Sequence, residues 1–138
     1  MVLLNLPDGL GDLAAEFMLL TQVHNGFEAV EKADFSISFC KKQEEVNAAT
    51  DLIAQYTEGD AVVWIAYPKG SSKRYKCDFN RDNGWTRLGE LGFEPVRQVA
   101  IDDDWSALRF RRVAFIKTMI RSFAMTEEGK ARIMMNDE

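Results

Sequence analysis

Residues 61–67 read Ala-Val-Val-Trp-Ile-Ala-Tyr, apolar at every position. A strand with one solvated face alternates apolar and polar residues, so an unbroken β-branched and aromatic run implies cover on both faces. That places the run at the centre of a largely parallel sheet with helices above and below. Most of the remaining chain has to supply those layers.

The flanking segments agree. "MVLLNL" is a short buried strand, and "PDGLGDLAAEF" sets Leu10, Leu13, Ala14 and Phe17 at helical spacing from about Asp8. "MLLTQVH" is expected to be a second strand and "NGFEAVEKA" a turn with one helical turn. "DFSISFC" alternates Phe35, Ile37 and Phe39 with Ser36, Ser38 and Cys40, a strand pattern. In residues 41–60, Val46, Ala49, Ile53 and Tyr56 form one helical stripe that ends near Gly59. "NRDNGWTRLGELG" predicts a helix with Trp85, Leu88 and Leu91 inward and Gly92 as its stop. "EPVRQVAI" and "WSALRFRRV" are strands joined by the "DDD" turn, a hairpin whose second strand is antiparallel to its predecessor. Residues 113–138 are expected to form a helical extension rich in Met, Ile and Phe, covering the core or self-associating as a homodimer.

The predicted fold is α/β, a Rossmann-like three-layer sandwich in one domain over 1–138, with the sheet core in 1–112. Such a mostly parallel sheet with a late antiparallel hairpin resembles class I S-adenosylmethionine-dependent methyltransferases. That analogy implies six strands in the order 2-1-3-4-6-5. The residues "VVWIAYPKG" and the later "VAIDDDWSALRFR", with "LLNLPDGL" and "DFSISF", further resemble a DUF-type bacterial family of small α/β proteins of unknown function. This likeness spans roughly residues 2–112. It implies a trimmed methyltransferase-like fold and no particular activity.

Open α/β sheets bind ligands beyond the carboxyl ends of their strands. The expected ligand-binding residues are Gly9 and Gly11 in the first turn, the Tyr67-Pro68-Lys69 corner, and Trp105-Ser106 across the edge from it. Pro68 makes that corner rigid. The loop after it, with Lys69, Ser71, Ser72, Lys73 and Arg74, either holds a small anion or is a mobile, solvated turn. It lacks the glycine and Lys-Ser/Thr spacing of a P-loop. The turn after the first strand has only a G-x-G, and no carboxylate ends the second strand for ribose hydroxyls. Both departures count against S-adenosylmethionine, so no cofactor is expected, with that compound as the alternative.

His24 is the only histidine, and nothing near it marks it as a base. A zinc site from His24, Cys40 and Cys77 needs a fourth ligand. Asp102, Asp103 and Asp104 read as a solvated turn rather than a cation site, and no catalytic or metal residue is assigned. The two cysteines are read as reduced thiols. If Arg109 is partly buried, it requires a carboxylate partner.

The net charge is −5, yet residues 1–67 carry 3 Lys/Arg against 11 Asp/Glu while residues 68–121 carry 12 against 7. The acidic total argues against general nucleic-acid binding, and a contact through the basic loop would be weak and salt-sensitive. No apolar run is long enough for a membrane span and the start lacks a signal-peptide pattern, so a cytoplasmic location is expected. Two readings remain: a non-catalytic ligand-binding or interaction module, or a methyltransferase-related enzyme binding S-adenosylmethionine.

Overall fold

A computed structural model of the chain describes residues 1–79 and 84–116. Five strands form one mixed sheet: β1 (Val2–Leu4), β2 (Phe35–Phe39), β3 (Val62–Pro68), β4 (Phe93–Ala100) and β5 (Trp105–Arg112), in the order β1-β2-β3-β5-β4. β1, β2 and β3 are mutually parallel, and β5 runs antiparallel to both β3 and β4. The apolar run at 61–67 is the middle strand. Val63, Ile65 and Tyr67 point to one face and Ala66 to the other, all buried.

Helix α1 (Gly11–Met18) covers one face; α2 (Gln43–Tyr56) and the short α3 (Thr86–Glu90) cover the other. The α2 face carries the buried Ser36 and Ser38 of β2 and, just after the strand, Cys40, which packs in one cluster with Val46, Ala49 and Ile53. Both serine hydroxyls are buried without a hydrogen-bond partner. Trp85 and Leu88 are buried as the helical spacing predicts, but Leu91 is 45% exposed, because α3 ends one residue earlier and Gly92 turns the chain at φ +86.

Three further expectations fail or fall outside. The sheet has five strands among the described residues, not six. The stretch 18–24 contributes only one parallel bridge, Val2 to His24. α1 runs on through Met18, Leu19 and Leu20 project into solvent, and the chain after His24 bends into a single 3-10 turn at Phe27–Ala29. Among the described residues Arg109 does not acquire a carboxylate partner; its Nε is buried with no hydrogen bond there. The acid goes instead to Arg111, whose Nε and Nη2 donate to Asp60 at 2.9 and 2.7 Å, because that side chain lies beside the α2–β3 turn. The helical extension and its homodimer role lie outside the described residues.

On the hairpin, β4 slips register between Pro95 and Arg97. Pro95 has no N–H to donate to the ladder, so the slip coincides with the residue that cannot pair. Asp102 Oδ1 accepts the backbone N–H groups of Asp104 and Trp105, both at 2.8 Å, which closes the turn.

Two outcomes follow. Ser38→Ala removes an unpaired buried hydroxyl, so it should leave stability unchanged or raise it by about 1 kcal/mol in a denaturant titration; a clear loss would mean the hydroxyl has a partner. Arg111 holds the Asp60 carboxyl below its usual value, mainly through their hydrogen bonds. A carboxyl lowered on folding stabilises above its unfolded pKa, about 3.9, and that stabilisation disappears as pH falls through the folded value. Asp60→Asn should therefore cost about 0.5–1 kcal/mol at neutral pH, and the gap between variant and wild type should close in acid.

Candidate functional site

The carboxyl ends of β1, β2 and β3 and the start of β5 meet at one edge of the sheet. The β3–β5 register sets Pro68 opposite Trp105 and Tyr67 opposite Ser106. The two segments that the sequence singles out are thus direct neighbours. Lys69 is tied to the same corner, its N–H donating to the Asp104 carbonyl at 2.8 Å. Trp105 is 2% exposed, with Phe39 edge-on against it at 5.4 Å.

The basic loop, expected as either an anion holder or a free turn, is pinned. Ser72 Oγ donates to Asp104 Oδ1 at 2.8 Å and itself accepts the N–H groups of Arg74 and Tyr75. Further on, Asp78 Oδ1 accepts the N–H of Gln43 at the start of α2, at 2.7 Å. The three-aspartate turn therefore serves the loop: Asp102 shapes the hairpin and Asp104 anchors Ser72. No cluster of three metal-ligating side chains occurs among the described residues.

Two clefts open at this edge. The larger, about 550 Å³, lies on the α2 side between Tyr67, Lys69, Ser72, Lys76, Cys77 and Gln98. Tyr67 is buried, and its hydroxyl accepts a hydrogen bond from Gln98 Nε2 at 2.9 Å. The smaller, about 350 Å³, lies on the α1 side between Asn5, Pro7, Lys41, Arg74 and Trp105. Tyr75 lines both. Its ring packs 5.2 Å from Trp105, with Arg74 and Lys41 over it at 5.3 and 5.4 Å.

The first helical turn starts at Asp8. Neither Gly9 nor Gly11 has a positive φ; the left-handed residue is Asn5, at φ 58. A side chain on Gly11 would meet nothing, and one on Gly9 would meet only Arg74, whose Nη1 lies 3.1 Å from the Cβ position. The glycine backbone is thus approached by this chain's own guanidinium. His24 pairs with Val2, the first residue of β1, at the opposite end of that strand from Asn5. It is separated from the edge and from both cysteines.

Cys40 follows β2 and is buried, which, with Glu45 and Cys77 nearby, pushes its thiol up to about 12. Cys77 is half-buried and also raised, chiefly by burial. Both therefore stay protonated at neutral pH and are poor nucleophiles. Periodicity and charge led to Lys69 and Trp105 but missed Asn5, Lys41, Tyr75 and Gln98. Lys41 was accessible in principle: it directly follows "DFSISFC", so it had to emerge at the same edge.

The fold has known counterparts. A provisionally assigned type 11 methyltransferase from Sulfolobus solfataricus superposes with a TM-score of 0.51 at 8% identity, over 80% of this chain and 69% of that one. The pyocyanin biosynthetic protein PhzM superposes with a TM-score of 0.51 at 14% identity, over 81% of this chain and 42% of that one. At such identities the similarity is one of fold: an α/β sheet of the methyltransferase Rossmann-like kind. No protein-family model matches the chain, and no curated protein sequence matches it.

The two thiols should separate in an alkylation time course followed by intact mass. Cys77 should react slowly in the native protein, and Cys40 only after denaturation. Equal native rates would contradict the burial of Cys40.

Proposed function

We propose that this chain is a methyltransferase-related protein that binds a small anionic ligand at the carboxyl edge of its sheet and does not itself transfer methyl groups. The relationship is supported by the fold. The departure from methyl transfer is supported by the donors at the edge.

A methyltransferase-like fold implies an S-adenosylmethionine site over the turn after β1, where backbone must come close to the ligand. The residues here do not fit that compound. Pro7 has no N–H, and the N–H of Leu10 is already given to the Pro7 carbonyl at 3.0 Å. Arg74 lies across Gly9. The stretch 18–24 makes only one bridge to β1, at the far end of that strand, so among the described residues no neighbouring strand on that side ends in a carboxylate for ribose hydroxyls. The ligand's sulfonium and ammonium groups would also face Lys41 and Arg74, like charge against like.

One observation carries the anion reading. Lys69 and Lys76 line the larger cleft and Lys41 and Arg74 the smaller, and none forms an ion pair with a carboxylate among the described residues. Elsewhere two arginines are paired with carboxylates, Arg87 with Asp51 and Arg111 with Asp60. Unpaired cations around a cleft with an aromatic floor suit a phosphate or carboxylate, held by charge-assisted hydrogen bonds from Lys69 and Lys76.

A thermal-shift panel tests this with inorganic phosphate, pyrophosphate, citrate, S-adenosylmethionine and its demethylated product. An anion at about 100 times its dissociation constant adds roughly 2.7 kcal/mol, a rise on the order of 10 °C for a chain of this size. The rise should disappear in Lys69→Ala/Lys76→Ala, and the bound anion should slow alkylation of Cys77. Stabilisation by the adenosyl compounds alone would replace this reading with cofactor binding, the second reading, which the fold similarity favours.

A further inference from the structure

We propose that Tyr75 is an internal occupant of the smaller cleft, and that the ligand it stands in for is a flat aromatic ring bearing an anionic group. The inference rests on the anion-binding reading of this edge and extends it to the neighbouring smaller cleft, where the cations are Lys41 and Arg74.

The ring of Tyr75 packs at a tilt against Trp105, a residue 2% exposed, and Tyr75 lines both clefts, of about 350 and 550 Å³. Lys41 and Arg74 both lie over that ring. Each is without a carboxylate partner among the described residues. Glu45, which also lines the smaller cleft, is turned instead to the backbone N–H groups of Lys41 and Lys42, at 2.9 and 3.1 Å. Both side chains are exposed to solvent, and the protein group they face is the quadrupole of a neutral ring, a weaker arrangement than a charge-assisted hydrogen bond.

The loop is built to release the ring. Its pins are at Ser72, on Asp104, and at Asp78, on Gln43. The five residues between them, 73–77, carry Tyr75 near the middle. Among the described residues this span is tied back at the N–H groups of Arg74 and Tyr75, to Ser72 Oγ at 3.3 and 3.1 Å, and at Cys77, to the Phe79 backbone. A flat ligand can take the place of the tyrosine ring on Trp105 and bring its own anion to Lys41 and Arg74. A ring alone would leave the cations as they are, and an anion alone would leave Tyr75 in place. Only the combination replaces both interactions. The tyrosine then acts as a competitor that lowers apparent affinity by the fraction of time it fills the site.

The test uses calorimetric titration of the full chain with adenosine monophosphate, adenosine and inorganic phosphate. Tyr75→Ala should bind the monophosphate at least tenfold more tightly than wild type, while Tyr75→Phe, which keeps the ring, should match wild type. Adenosine and phosphate should each bind Tyr75→Ala at least tenfold more weakly than the monophosphate. Tyr75→Val, apolar but ringless, should repeat the gain if the alanine variant does not fold. No gain in a folded, ringless variant overturns the inference, as does phosphate binding as tightly as the monophosphate. The broader reading is judged separately: phosphate binding to wild type that is lost in Lys69→Ala/Lys76→Ala supports it even if Tyr75 proves inert, and its absence removes both.

Discussion

The antiparallel ladder between β3 and β5 is the constraint on which the rest depends. It joins the apolar centre of the sheet to the last strand of the hairpin, and its register decides what meets at the edge. With Ile65 opposite Leu108 and Ala66 opposite Ala107, the next pairs are Tyr67 with Ser106 and Pro68 with Trp105. A slip of one residue would turn Leu108 and Phe110 out of the core and carry Trp105 to the other face. The same slip would move Asp104 away from Lys69 and Ser72 and unpin the basic loop. Core packing and edge geometry are therefore one constraint.

Much of the fold was legible because period and burial agree. The unbroken run at 61–67, the alternation in "DFSISFC" and the stripe through Val46, Ala49 and Ile53 each leave one way to bury their apolar atoms. The missing strand shows where this reasoning stops. Met18, Leu19 and Leu20 have strand-like composition, yet Leu19 and Leu20 are more than 80% exposed. Helix α1 ends at Met18 and the chain turns through Leu19 and Leu20; hydrophobicity cannot say whether an element exists to receive them. Arg109 and Arg111 point the same lesson at charge. Both lie on one face of β5, and alternation cannot tell which of them reaches Asp60.

The site was less legible than the fold. Pairing of the Pro68 corner with Trp105 follows from strand order, so sequence reasoning could reach it. The role of Tyr75 does not, because a loop with no period carries no information about where its one aromatic ring will rest. The turn after β1 shows a related limit. Glycines there suggest a closely approached backbone, yet both have conformations open to any residue, and the left-handed position belongs to Asn5. A short polar side chain can adopt that conformation with little strain, so the turn is built without using its glycines.

The kink at Pro95 has a consequence for how such a sheet behaves in a crowd. β4 is the outer strand on its side, and a straight, fully pairable outer strand is a template on which another chain can grow. Here the template is interrupted at the residue without an N–H, and the register slip beside it bends the row of unpaired groups. On the far side β1 is three residues long and already engaged by His24. A sheet with a flat, aromatic-rich centre is thereby given two margins that resist self-templated growth, so a partially opened molecule has little edge from which to seed aggregation.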